Sequence, residues 1–261
     1  MQNLIDSLEE DKYSIADDLN DIALLLNNQA ICEDISSLYS AVESCKRDST
    51  DDIWKYRLDP IVFKFPSKPG HVIPNGADNV EIMLFLCIEG TYMNNTENLN
   101  DPLSSLEFNI VIKGIDGNNI VEELDEFLNL ESSWHLDKHE HQEGDGDGKL
   151  IHPEYHLTFG GHVMENSGLD FGSTIVLRSP RIEYPPMDAI LGIDFILKNF
   201  FTVSYHKKLT ELPEYQIIVK RSQKRLWKPY FLSLASFWDG GYINELISPN
   251  KLFPSLIKED Q

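Results

Sequence analysis

The pattern of apolar residues changes at about residue 50, and this change limits the folds that the chain can adopt. Before it, apolar residues recur at helical spacing. After it, three runs rich in β-branched and aromatic residues follow one another: WKYRLDPIVFKF, VEIMLFLCI and LEFNIVIKG. Their connectors are short, polar and full of turn-forming residues, so they predict an antiparallel sheet or meander. Pro60, inside the first run, predicts a bulge or an edge position.

The other elements follow from the same patterns. The first 47 or so residues predict a helical hairpin that turns at NNQA, from the spacing of Ile15, Leu19, Ile22 and Leu26 and of Ile35, Leu38, Tyr39, Val42 and Cys45. Further along, we expect a short helix from about Asn119 to Leu128, strands in EYHLTFG, TIVLRS and EYQIIVKR, and an amphipathic helix in MDAILGIDFILKNFF. Pro185 and Pro186 stand just before that last helix, where a missing N–H does no harm.

These elements predict an α+β fold with an N-terminal helical hairpin, an antiparallel β-sheet or meander, and C-terminal packing helices. We expect residues 1–50 to form the hairpin, packed on a main domain at 51–261, with a disordered acidic loop near 137–149.

Charge and cysteine content point to a cytoplasmic protein. The net charge of −21 disfavours general adhesion to nucleic acid or to anionic lipid. The three cysteines, Cys32, Cys45 and Cys87, form no CxxC pair and suggest reduced thiols. We see no signal peptide, and no apolar run approaches the about 20 residues that span a bilayer.

The segment HPEYHLTFGGH, residues 152–162, is the first candidate site. In an extended chain its odd-numbered residues face the core and its even-numbered ones face solvent or a cleft. An ideal strand places His152 and His156 about 13 Å apart. That is too far for both to bind one Zn²⁺ unless Pro153 turns His152 back. Imidazole titrates near neutrality, so His152 or His156 could transfer protons with Glu154 or Thr158 nearby. The candidates for acid–base catalysis are therefore His152, Glu154, His156 and Thr158.

A second cluster lies in the acidic loop. His139 and His141 are spaced for chelation, and His135, Asp145 or Asp147 could join them. No zinc motif with fixed spacing is present. We therefore expect either no cofactor and a plain flexible loop, or a divalent metal bound there.

Residues 219–231, VKRSQKRLWKPYF, mix cations, which can contact phosphates, with aromatic rings, which can stack on unpaired bases of a nucleic acid. The alternatives are a solvated helix whose cationic stems cover apolar surface, or a surface that docks the acidic loop of a neighbouring subunit. The predicted contact residues are Lys220, Arg221, Lys224, Arg225, Trp227 and Lys228, with Arg178 and Arg181 holding a phosphate.

HPEYHLTFGG, followed by SPRIEYPP and FILKNFF, resembles the C-terminal signature of an uncharacterised bacterial family, known only as a domain of unknown function. The resemblance covers about 50 of the 261 residues, with an insert at 163–174. It implies a bacterial or mobile-element origin with defence or plasmid genes nearby. The matching residues are His152, Pro153, His156, Leu157, Thr158, Gly160, Ser179, Pro180, Phe195, Ile196, Leu197, Asn199 and Phe200.

The first functional hypothesis is an accessory protein of a bacterial defence or mobile-element system that binds a protein partner or another copy of itself. The second is a histidine-dependent hydrolase or nuclease, with or without a metal. The third is a nucleic-acid-binding module that uses residues 219–231. None of the three involves a membrane.

Overall fold

The computed structural model describes residues 12–66, 76–92, 101–121, 126–138, 152–160, 164, 181–239 and 248–256. Two helices come first, α1 (Lys12–Asn28) and α2 (Ser36–Asp48). The strands that follow are β1 (Ile53–Lys64), β2 (Ala77–Thr91), β3 (Leu103–Val121), β4 (Glu126–Lys138), β5 (Tyr155–Phe159) and β6 (Ile182–Glu183). The chain then forms α3 (Ala189–Phe200), α4 (Val203–Thr210), α5 (Pro213–Asp239) and α6 (Pro249–Leu252).

The strands form one meander in the order β1-β2-β3-β4-β5-β6, and every neighbouring pair is antiparallel. The register of β1 against β2 shifts between Leu58 and Ile61, so Pro60 lies at a bulge as predicted. The α+β fold, with helices before and after an antiparallel sheet, is confirmed. Within the described residues, no helix is both long enough and apolar enough to cross a membrane.

Two predicted elements are wrong. The helix expected at 119–128 is replaced by the hairpin between β3 and β4, in which Ile120 pairs with Phe127. The strand expected in EYQIIVKR is part of the long helix α5. Here Tyr215, Ile218 and Val219 are buried at helical spacing, and this packing outweighs the strand preference of their β-branched neighbours. The strand predicted in TIVLRS lies outside the described residues.

The core lies on one face of the sheet. Alternate residues of β2 and β3, such as Leu84 and Phe108, are fully buried on this face, and α3 packs against them. A Cβ atom on Gly192 would lie 2.6 Å from the Phe108 ring and 3.0 Å from the Leu84 side chain. The helix comes this close to the sheet because it carries a glycine there. The opposite face of β4 and β5 is left for polar side chains.

A buried ionic network joins three helices beside the core. Asp188 caps α3 by accepting a hydrogen bond from the Leu191 N–H at 2.9 Å. Its second oxygen accepts hydrogen bonds from Ser222 and, at 3.2 Å, from Arg225 of α5. Arg225 is also 3.5 Å from Asp18 of α1. The arginine thus links α5 to both α1 and α3.

Candidate metal centre

The turn before β5 brings two histidines together. Strand β5 begins only at Tyr155, the chain bends at Glu154 just before it, and the His152 ring lies against His156. Their Nε2 atoms are 3.3 Å apart and their ring centroids 4.5 Å apart. The wide separation of His152 and His156 expected for an ideal strand is therefore wrong. The chain instead bends just after Pro153, and a turn at this proline was the one exception expected.

Strand β4 contributes a third histidine and a carboxylate. Its register against β5 pairs Asp137 with His156 and His135 with Thr158, so these four residues share one face of the sheet. The Nε2 atom of His135 is 3.3 Å from Oδ2 of Asp137. One donor atom each from His135, Asp137 and His156 lies within 4.8 Å of the other two.

Two of these distances fit a tetrahedral metal site. With metal–ligand bonds of about 2.0–2.1 Å, neighbouring donors of a tetrahedron are about 3.3 Å apart. Both close contacts, His152 to His156 and His135 to Asp137, have that separation. The other separations within the group reach up to 4.8 Å, so these side chains would have to move by up to about 1.5 Å to bind one ion. Imidazole nitrogens with one carboxylate oxygen suit zinc and its neighbours in the first transition row.

The protonation state of His156 also suits a metal ligand. This side chain is only 3% exposed. Its burial, followed by the electrostatic influence of His152, Arg181 and His135, lowers the pKa of His156 to about 3. The imidazole is therefore neutral at physiological pH, which is the form that binds a metal.

The cluster is buried at one end and open at the other. His156 and Thr158 are buried, although their face of the strand was expected to meet solvent or a cleft. The Thr158 hydroxyl has no hydrogen-bond partner among the residues that the structure describes. On the β4 side, by contrast, the Asp137 side chain is 37% exposed. Water or a small solute can therefore approach from that side.

Glu154 belongs to a neighbouring ionic cluster. Its backbone N–H donates to the Lys251 carbonyl of α6 at 2.7 Å, which anchors the turn before β5. Its carboxylate lies 3.7 Å from the Lys138 ammonium, and that ammonium is 2.6 Å from Asp101. The even-numbered residues of the segment therefore do not all share one face, because the strand begins after Glu154.

The other predicted site residues are dispersed. Arg181 lies immediately before β6, and its charge acts on His156. The indole N–H of Trp227 donates to the Pro186 carbonyl at 2.9 Å. Both arginines of the basic segment make internal ion pairs, whereas its lysines are exposed. Arg178, His139 and His141 lie outside the described residues.

Sequence reasoning considered His135 only as a ligand for the loop histidines, and it missed Asp137. The alternation in Trp134-His135-Leu136-Asp137 is a strand signal that could have placed both residues on one face. No strand was predicted there, so the two were not connected with His156.

Protein-family models, curated proteins and solved structures were each compared with the chain, and none matches. The resemblance to an uncharacterised bacterial family stays a prediction.

Proposed function

We propose that the protein is a metalloprotein that binds one divalent ion of the zinc class between β4, β5 and the turn before β5. His135, Asp137 and His156 are the three protein ligands, and the fourth tetrahedral position is left to water, beside the His152 ring. The observation that carries the proposal is the convergence of donor atoms from His135, Asp137 and His156, all within 4.8 Å of one another.

The alternative is a set of ordinary hydrogen bonds without an ion. Two neutral imidazoles 3.3 Å apart can share one proton between their Nε2 atoms, and His135 can donate to Asp137. That arrangement leaves the two pairs independent of each other. An ion instead explains why both pairs meet on one patch of the sheet, and it satisfies several donor atoms at once.

The bound ion would serve two purposes. It would tie β5 to β4. Because the Asp137 side chain is 37% exposed, the ion would also be reachable by water or substrate, as at catalytic zinc sites. Arg181 adds a positive charge beside His156 that suits an anionic group. Metal-assisted hydrolysis is thus the enzymatic form of this proposal, while a partner in a defence system stays a prediction from the resemblance.

The test is metal stoichiometry and affinity. Chelator-treated protein dialysed against Zn²⁺ is expected to retain one zinc per chain, measured by inductively coupled plasma mass spectrometry. In calorimetric titrations, His156→Ala and Asp137→Ala are each expected to weaken zinc binding by at least about 100-fold, because each removes a ligand. His152→Ala is expected to weaken it less, since its ring lies at the edge of the cluster.

A matched control is available on α4. His206 is also buried, and its Nδ1 is 3.2 Å from the Thr210 hydroxyl, so His206→Ala removes a buried imidazole elsewhere. This variant should bind zinc like the parent protein. A parent protein that retains no zinc, or a His206→Ala variant that loses as much affinity as His156→Ala, would contradict the proposal.

A further inference from the structure

Helix α5 carries an exposed row of lysines in an otherwise acidic chain. Lys220, Lys224 and Lys228 are four residues apart, so they follow one side of the helix, and all three are exposed. One residue in six of the whole chain is acidic, 43 of 261. Residues 215–238 nevertheless contain no aspartate or glutamate. The acidic residues of α5, Glu214 and Asp239, therefore lie at its two ends.

The arginines of the same helix point the other way. Arg225 is 2% exposed and pairs with Asp18 and Asp188, and Arg221 also contacts Asp18. These two cations hold the helix in place. In the basic segment, the arginines therefore have a structural role, and the lysines form its exposed side.

Two exposed aromatic rings continue the lysine row. Phe231 is 51% exposed and Trp238 is 69% exposed. They lie seven residues apart, and respectively 11 and 18 residues beyond Lys220, spacings that keep them on the same side of the helix. Tyr230, by contrast, is 3% exposed. We call Lys220, Lys224, Lys228, Phe231 and Trp238 the α5 stripe.

We infer that the α5 stripe binds single-stranded nucleic acid, with the lysines on the phosphates and the two rings stacked on bases. Cations in line with exposed aromatic rings are the combination that single-strand binding proteins use. The strong negative charge of the rest of the chain confines an anionic strand to this stripe. This inference does not rest on the metal centre, because it uses a different element and different residues.

The probe is a fluorescein-labelled 20-mer of deoxythymidine, followed by fluorescence anisotropy at several NaCl concentrations. With three phosphate contacts, the logarithm of the association constant should fall with the logarithm of salt concentration with a slope of about −2. The triple variant Lys220→Ala, Lys224→Ala, Lys228→Ala should bind at least about ten-fold more weakly and lose most of that slope. Trp238→Ala should weaken binding by at least about five-fold, because one base loses its stacking partner.

The control is a double variant, Lys207→Ala and Lys208→Ala, which removes two exposed lysines of α4 and should bind like the parent protein. The inference would be overturned if the parent protein does not bind the 20-mer, or if the triple variant binds as tightly as the control. The inference would also fail if Trp238→Ala has no effect on binding, or if a 20-bp duplex binds as tightly as the single strand. A third contradicting result would be that a polyglutamate peptide displaces the 20-mer at equal concentration. That last result would assign the stripe to an acidic protein instead.

Discussion

Replacing Asp188 by alanine is expected to lower the free energy of unfolding by about 3–5 kcal/mol, the cost of removing one partner from a buried ion pair. The carboxylate is 2% exposed and serves three donors: the Leu191 N–H, the Ser222 hydroxyl and the Arg225 guanidinium. Its loss leaves the Arg225 charge buried beside the more distant Asp18. It also removes the cap of α3.

Two further variants test this assignment in urea denaturation. Asp188→Asn keeps an oxygen for the Leu191 N–H but removes the charge, so its effect should be intermediate. Asp59→Ala removes an aspartate from an exposed pair with Arg57, where the side chains are 60% and 71% exposed. Such surface pairs contribute at most about 1 kcal/mol. If Asp188→Ala costs no more than Asp59→Ala, the network does not hold the helices together.

Zinc is expected to stabilise the chelator-treated protein against heat. An ion that binds only the folded state adds about 2.7 kcal/mol at a free concentration 100 times its dissociation constant. For a chain of this size that corresponds to a rise in melting temperature of about 5–10 °C. Differential scanning calorimetry with and without zinc measures the rise, and EDTA should reverse it.

The change caused by zinc, rather than the melting temperature itself, is the informative quantity. His156 is 3% exposed, so His156→Ala should lower the melting temperature even without metal. It should in addition abolish the rise that zinc causes in the parent protein. Mg²⁺ should produce no rise, because it prefers oxygen ligands. A zinc-induced rise of the same size in His156→Ala would place the ion elsewhere.

Local patterns were enough to predict much of the fold. The helical spacing around Leu19 and Leu38, the β-type runs of β1 to β3 and the prolines before α3 each specify their element without distant contacts. Segments whose structure depends on distant partners were predicted wrongly. The β3–β4 hairpin needs cross-strand pairing, and the first turns of α5 are helical because Tyr215 and Ile218 pack in the core.

The candidate site was predicted only in part, for the same reason. His156 and His152 were identified, but the assumption of an ideal strand separated them. The link from His156 to Asp137 is a register between two strands with an intervening loop, and no local pattern encodes that register. In the basic segment, composition alone could not distinguish the buried Arg225 from the exposed Lys224.

X-ray absorption at the zinc edge of the zinc-loaded protein tests the proposed metal centre most directly. The proposal predicts a first shell of nitrogen and oxygen only, at about 2.0–2.1 Å, with the outer-shell scattering of at least two imidazoles. His135→Ala or His156→Ala should reduce that imidazole scattering. A shell that contains sulfur at about 2.3 Å, or one without imidazole scattering, would contradict the site formed by His135, Asp137 and His156.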